Sequence, residues 1–579
     1  MARLAISKDF LTQYARLDKR VQRSVDQAIA TFARHPHPAR YLETSQHPHN
    51  DQLRIMPLDG PWRGIILAPA TGDTYCLVTV LPHDKADAYV SSPEGLQLVH
   101  AQPFVTWRTF LHPDQRQIAY HPGYSGSAQV TGGPGTGKTV TVLHRAAFLA
   151  EHAAVPILVT TFAGNLAEAL QAQLGLLIQN PRIRENIEVL NVDRLAYRIV
   201  RRARGTPVIA DEGTLRTRWA KAATDAPFTP AFLKNEWEQV ILAQDLNTEP
   251  AYLTCARTGR GRPLTKAQRS QVWQATQQVT AELKAAHQAT HLQLANEATR
   301  LLRQAGTTPY RHILVDEAQD LHPAQWRLLR AAVAPGPDDL FIAADPHQRV
   351  YDNRVSLISL GISVRGRSRR LSMSYRTTQE ILAWAVPLLG TDPVTGLDGE
   401  VDSLIGYRSP MHGPRPQQRL TAARAEEFTF LAERVGSWLS DGIEPHAIGV
   451  AARSAALVRE AREALRVAGI ETVSLNRRGE TKAVRAGTMH AMKGLEFQAV
   501  AVIGVEHGLV PEPAAVTPAA EDAATHAQDL QRERRVLFVA CTRARDQLYV
   551  SGTGQPSICL PHPERPPAHR ARKPWRLPG

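Results

Sequence analysis

The segment Gly132-Gly133-Pro134-Gly135-Thr136-Gly137-Lys138-Thr139 constrains this chain more than any other. Its glycines let backbone N–H groups curl around phosphate oxygens, Lys138 brings a positive charge for the β and γ phosphates, and the Thr139 hydroxyl is placed to hold Mg²⁺. Such a loop works where a strand feeds a helix N-terminus. Ala128-Gln129-Val130 reads as that strand and Val140 to Ala150 as the helix. A second stretch, Asp316-Glu317-Ala318-Gln319-Asp320, follows the apolar run His312-Ile313-Leu314-Val315. Two acids ending a buried strand suit a Mg²⁺ ligand (Asp316) and an acceptor for the proton of an attacking water (Glu317). The pair predicts an α/β fold that binds and hydrolyses a nucleoside triphosphate.

Length and charge bound the partners. A chain of 579 residues predicts several domains. Its net charge of +13 favours an anionic partner, nucleic acid first, although a solvated basic surface would carry the same charge. No apolar run approaches the roughly 18 residues of a membrane span, and Met1-Ala2-Arg3-Leu4-Ala5 lacks a signal-peptide apolar region. The expected location is cytoplasmic, with no membrane partner. Cys76, Cys255, Cys541 and Cys559 lie far apart with no Cys-x-x-Cys pair, so they read as reduced thiols and not as a zinc ribbon or disulfide framework.

Further segments stand in a fixed order around these two. Leu111-His112-Pro113-Asp114-Gln115 precedes the phosphate loop, and Thr161-Phe162-Ala163-Gly164-Asn165 follows it. After Asp320 come Ala344-Asp345-Pro346-His347-Gln348-Arg349-Val350-Tyr351, Ser374-Tyr375-Arg376-Thr377-Thr378 and Gly487-Thr488-Met489-His490-Ala491-Met492-Lys493-Gly494-Leu495-Glu496-Phe497. Glu533-Arg534-Arg535 with Val539-Ala540-Cys541-Thr542-Arg543-Ala544 completes the series. The series resembles the UvrD/Rep group of superfamily 1 DNA helicases over residues 105–555.

The resemblance implies an ATP- and Mg²⁺-dependent DNA helicase and single-stranded DNA translocase, acting on single-stranded and partly duplex DNA in repair, recombination or defence. Its 3′ to 5′ direction rests on the resemblance alone. Two RecA-like lobes would clamp ATP and close for hydrolysis. Gln115 becomes the adenine reader, a role its bidentate amide suits, though alone it reads as a loop glutamine. Tyr375 would stack on the base, and Glu496 would join the nucleotide site. Gln348 would sense the γ-phosphate or orient water. Arg376 and Arg543, both expected from the second lobe, would be arginine fingers, whose permanent charge suits a transferring phosphoryl group. Phe162, Asn165, Tyr351, Arg354, Thr488 and His490 would line the single-strand path by stacking and phosphate contact. Phe162 equally suits a core position.

The implied organisation runs as a first lobe over residues 93–199 and 309–367, a helical insertion over 200–308, and a second lobe over 368–558. Two segments depart from the family. Asn353 stands where an aromatic is usual, and Asn191-Val192-Asp193-Arg194 replaces a Thr-Phe-His-Ser-like run. The family's large regulatory insertion is absent, because Gly469-Ile470-Glu471-Thr472-Val473-Ser474-Leu475 runs almost directly to Thr488. An enzyme without that subdomain is expected to need no release by dimerisation or an accessory protein. Within 200–308, Arg257-Thr258-Gly259-Arg260-Gly261-Arg262 reads as a flexible loop tracking phosphates.

Residues 1–92 read as a separate α+β unit. A strand Arg3 to Ser7 precedes an amphipathic helix Phe10 to Ala33, then strands Leu53 to Pro57, Trp62 to Pro69 and Tyr75 to Leu81. Order and tail resemble the RelE/ParE toxin fold, which implies metal-free RNA cleavage. Arg54, Arg63, His83, Lys85 and Tyr89 are the candidate groups. The blander reading is docking to nucleic acid, ribosome or a protein partner. Residues 559–579, rich in Pro and Arg, are expected to be a disordered basic tail, with no nuclease domain after it. A rival whole-chain reading is an RNA-directed effector whose motor remodels RNA. Another is a nucleotide-gated DNA-binding switch, against which the complete catalytic set argues.

Overall fold

The structure is a computed structural model that describes residues 3–6, 10, 14, 17–34, 42–44, 53–68, 74–82, 111, 113–152, 155–178, 180–224, 226–350, 355–390, 392–404, 406–475, 482–520 and 522–560. The chain divides into two compact units, Met1–Gln379 with Pro393–His412, and Glu380–Asp392 with Gly413–Gly579.

In the first unit, β1 (Arg3–Ile6), β2 (Glu43–Thr44), β3 (Leu53–Pro57), β4 (Trp62–Leu67) and β5 (Thr74–Pro82) form a sheet in the order β1-β5-β4-β3-β2. The helix Lys19–Arg34 packs Val21, Val25, Ala28 and Phe32 against Met56, Ile66, Leu77 and Val80. Phe10 and Tyr14 are helical as the periodicity predicts, but the helix is interrupted at Leu17 and Asp18 and is not continuous to Ala33. Asp18 accepts a hydrogen bond from the Arg20 N–H at 2.7 Å, a side-chain cap that starts a new helical segment at Lys19.

The phosphate loop lies in an all-parallel sheet built from β6 (Ala128–Gly132), β7 (Ile157–Thr161) and β8 (Ile187–Asn191) with three later strands. Between β8 and those strands, β9 (Val208–Ile209) and β10 (Gln288–Ala289) form a small ladder within the insertion. The later strands are β11 (His312–Val315), β12 (Leu340–Ala344) and β13 (Ser368–Leu371), giving the order β13-β6-β12-β11-β7-β8. A parallel sheet must be covered on both faces, which explains the continuously buried β7, β11 and β12. One face packs under the helix Lys138–His152, the other under the helices Val192–Arg204, His291–Ala305 and Pro323–Ala332.

β13 departs from expectation. The sequence reading opens the second lobe at residue 368, yet Ser368 to Leu371 pair in parallel with Gln129 to Gly132 and extend the first sheet. The chain returns to the same unit at β14 (Val394–Thr395) and β15 (Val401–Asp402), where the Leu357 N–H donates to the Leu397 carbonyl at 3.0 Å. Both segments are too short to reveal their sheet partner by local pattern.

The insertion has its own core of Trp219, Leu233, Trp237, Tyr252, Val272, Val279 and Leu283. Its basic loop is not free to track phosphates. Fully buried Glu236 accepts from Arg257 Nη2 at 2.8 Å, from Arg260 Nε at 3.3 Å and from the Tyr252 hydroxyl at 2.9 Å. Arg262 lies over the Phe228 and Phe232 rings, 5.3 and 5.7 Å from their centroids. The arginines compensate an acid that burial would otherwise penalise heavily.

The second unit is also an all-parallel sheet: β16 (Gln417–Thr421), β17 (Ile448–Ala452), β18 (Thr472–Ser474), β19 (Val484–Thr488), β20 (Phe497–Ile503) and β21 (Ala544–Thr553), in the order β16-β21-β20-β17-β19-β18. Nine residues, 475–483, separate β18 from β19 in the sequence. Among the described residues, no helix is long and apolar enough to cross a membrane.

Candidate active site

β6 delivers the phosphate loop to the N-terminus of the helix Lys138–His152, the strand-to-helix context the motif requires. Gly137 has φ +78°, and a Cβ there would lie 2.2 Å from Gln115 Nε2. Glycine is therefore needed both for backbone conformation and for space. Gln115 itself is buried and donates from Nε2 to the Thr136 carbonyl at 2.8 Å, which places the expected adenine reader against the loop. Lys138 Nζ donates to the carbonyls of Gly132 and Gly133 at 2.8 and 2.9 Å and lies 3.5 Å from Asp345 Oδ2.

Asp345 links the loop to the neighbouring strands. Gln348 donates from Nε2 to Asp345 Oδ2 at 2.6 Å, and the Asp345 N–H donates to Gln319 Oε1 at 2.9 Å. Gln319 in turn donates from Nε2 to Glu317. Lys138, Gln348 and Glu317 are thus joined by two residues, Asp345 and Gln319, that sequence reading quoted inside motifs without a role. Asp345 directly follows the apolar strand β12, and Gln319 stands four residues past the end of β11.

Glu317 adopts a left-handed backbone, φ 52° and ψ 38°, uncommon for a residue with a side chain. Next to it, Asp316 is buried at the end of β11 and accepts from the Thr139 hydroxyl at 2.8 Å. Burial first, and then the charge of Glu317, push the Asp316 carboxyl well above the usual carboxylate range. A carboxylate and a hydroxyl in contact, with charge crowded against a second acid, form a hard-oxygen donor set that fits Mg²⁺, which takes one or two carboxylates and substrate phosphates. Thr139 and Asp316 would hold the ion. It would supply charge to neutralise phosphate oxygens.

Tyr375 and Arg376 follow β13 and stand beside the loop within the first unit, against the expectation that they come from the second lobe. The Tyr375 N–H donates to the Gly135 carbonyl at 2.9 Å, and a Cβ on Gly135 would lie 2.9 Å from Arg376 Cβ. Both side chains are buried. Arg543 and Glu496 belong to the second unit, where Arg543 donates from Nε to the Val539 carbonyl at 3.1 Å. Pro134 and Gly132 complete the loop, both buried.

The residues expected on the nucleic-acid path are divided. Phe162 is half-buried and packs on the first-lobe core, while Asn165 is exposed at the start of the helix Gly164–Leu177. Tyr351 and Arg354 lie outside the described residues. Thr488 caps a short turn by accepting from the Ala491 N–H at 3.4 Å. Beside it, burial first and then the Arg453 charge push His490 down to about 4, so it is neutral at pH 7. In the N-terminal sheet, the register pairs Arg54 with Ile66 and Arg63 with Pro57, which puts the two arginines on opposite faces. Arg63 is engaged with the Gly60 and Trp62 carbonyls at 3.2 and 2.8 Å. His83, Lys85 and Tyr89 lie outside the described residues.

A parallel sheet with a glycine-rich loop at a helix N-terminus, a strand-end acid pair and a strand-end glutamine defines a phosphate-loop nucleotide-binding protein of RecA-like type. The family description "UvrD/REP helicase N-terminal domain" matches residues 111–364, and "UvrD-like helicase C-terminal domain" matches residues 468–555. The chain belongs to the UvrD/Rep-like helicases. It is 27% identical over 389 residues to the ATP-dependent DNA helicase UvrD2 of Mycobacterium tuberculosis, covering 62% of this chain and 54% of the relative. It is 26% identical over 252 residues to DNA helicase IV of Escherichia coli, covering 42% and 34%. A 64-residue stretch is 42% identical to the ATP-dependent DNA helicase PcrA of Staphylococcus aureus, covering 11% and 8%. The chain therefore spans about half the length of the UvrD2 relatives it matches.

Proposed function

We propose that this protein is an ATP- and Mg²⁺-dependent DNA helicase and single-stranded DNA translocase that moves 3′ to 5′. The observation that carries the reading is the gathering of Lys138, Thr139, Asp316, Glu317, Gln348 and Arg376 around one phosphate loop, in a chain of the UvrD/Rep-like family. Glu317 takes the proton of the attacking water, Gln348 senses the terminal phosphate through Asp345, and Arg376 faces the phosphoryl group as it transfers. Arg543 is assigned the second finger and Glu496 a place at the nucleotide. Thr488, His490, Phe162 and Asn165 are assigned to the strand. A neutral His490 suits stacking or hydrogen bonding more than phosphate pairing.

The test is ATP hydrolysis by the full chain without polynucleotide, with single-stranded DNA and with single-stranded RNA, each beside Lys138→Ala. DNA is expected to stimulate, and Lys138→Ala to reduce turnover by about a hundredfold or more, the usual loss for one charge-stabilising donor. Hydrolysis unchanged in that variant would sink the site assignment, and stimulation by RNA alone would overturn DNA as substrate. Duplexes with a single 3′ or 5′ tail then decide direction.

A further inference from the structure

Tyr407 lies 274 residues beyond the phosphate loop in sequence and belongs to none of its motifs, yet its hydroxyl accepts a hydrogen bond from the Gly133 N–H. The same hydroxyl donates to the Leu371 carbonyl at 2.7 Å, at the end of the strand paired with Gly132. A hydroxyl oxygen therefore sits on a backbone N–H of a loop whose N–H groups suit phosphate oxygens. Its neighbours mark which end of a nucleotide this is. Lys138 Nζ is held by the Gly132 and Gly133 carbonyls and by Asp345, and Gln348 is bonded to the same Asp345. These are the groups assigned above to the terminal phosphate. Burial first, then the charges of Asp345 and Asp402, push the Tyr407 phenol up, so it stays a neutral hydroxyl.

The segment bearing Tyr407 is tied to the catalytic parts on both sides. Before it, Asp402 lies 3.7 Å from His347 and 3.5 Å from Arg370. After it, the Arg408 carbonyl accepts from the Ser374 N–H at 2.9 Å, directly ahead of Tyr375 and Arg376. Tyr375 is bonded to Gly135 across the loop. A shift of Tyr407 is therefore felt one residue away by the backbone that carries Arg376.

We propose that Tyr407 is a latch for the terminal phosphate: its hydroxyl holds the Gly133 N–H and gives it up to a phosphate oxygen when a nucleoside triphosphate binds. It is a positioning residue, acting through Arg408 on the Ser374 to Arg376 segment. The inference rests on the nucleotide-site reading above. The hydroxyl competes with the triphosphate, so removing it strengthens ATP binding. It competes little with ADP, which lacks the phosphate that reaches this end.

The experiment titrates the full chain, with Mg²⁺ and without DNA, against fluorescent ATP and ADP analogues for wild type, Tyr407→Phe and Asp402→Asn. Tyr407→Phe is expected to tighten ATP about fivefold, the equivalent of one neutral hydrogen bond, and ADP by less than about twofold. Asp402→Asn keeps the hydroxyl but loosens its segment, and shifts the ATP-to-ADP ratio in the same direction by less. A merely structural tyrosine would lower thermal stability and leave that ratio unmoved. An unmoved ratio in both variants overturns the latch while leaving the nucleotide site intact. Failure of wild type to bind either analogue would overturn the site reading, and the latch with it.

Discussion

Glu317→Gln is expected to leave ATP bound and to cut hydrolysis by about 10²- to 10⁴-fold, the range for loss of a positioned general base. The substitution keeps size and the capacity to meet Gln319, so the link from Gln319 to the Asp345 N–H survives. It removes the acceptor for the proton of water. It also removes the negative charge that helps to push Asp316 up, so metal-dependent nucleotide binding should not weaken. Single-turnover hydrolysis beside equilibrium ATP binding separates the two effects. Equal losses in both would show that Glu317 builds the site and does not perform its chemistry.

Glu236→Ala should cost about 3–5 kcal/mol, the usual penalty for stripping one partner from a buried ionic network. Glu236 is fully buried, and its removal leaves Arg257, 6% exposed at its side chain, with its charge uncompensated. The insertion core is separate from the first-lobe core, so the loss should appear as early unfolding of residues between about 205 and 290. Denaturant unfolding followed by Trp219, Trp237 and Trp273 fluorescence reads it directly. Glu236→Leu combined with Arg257→Met should recover only the part lost through Arg257, because Arg260 and the buried Tyr252 hydroxyl still lose their acceptor. A loss below about 1 kcal/mol for Glu236→Ala would show that water reaches this network.

These two sites mark where local pattern is informative. The position of Glu317 is legible because it follows an apolar strand within five contiguous residues, where the task proposed for it calls for a carboxylate. Glu236 carried no signal: an acid in a helical stretch reads as solvent-facing, and its arginine partners, twenty-odd residues on, read as a basic loop. Neither half reveals the other, since each is buried only because the other is. The break at Asp18 is invisible for a related reason: a single cap opens a new helical segment inside an apolar periodicity that runs on both sides of it.

The nucleotide chemistry was contained in the chain's order of residues. A phosphate loop, a strand-end acid pair and a strand-end glutamine are each short, and backbone geometry over a few residues suffices to make them. Tertiary structure decided how they were joined and what else joined them. It put β13, Tyr375 and Arg376 in the first unit, because a four-residue strand takes its sheet from pairing and not from pattern. It set Arg54 and Arg63 on opposite faces through strand register, and brought Tyr407 to Gly133 across 274 residues. Pairing, register and long-range approach are settled by packing the whole core, so no window of the sequence contains them.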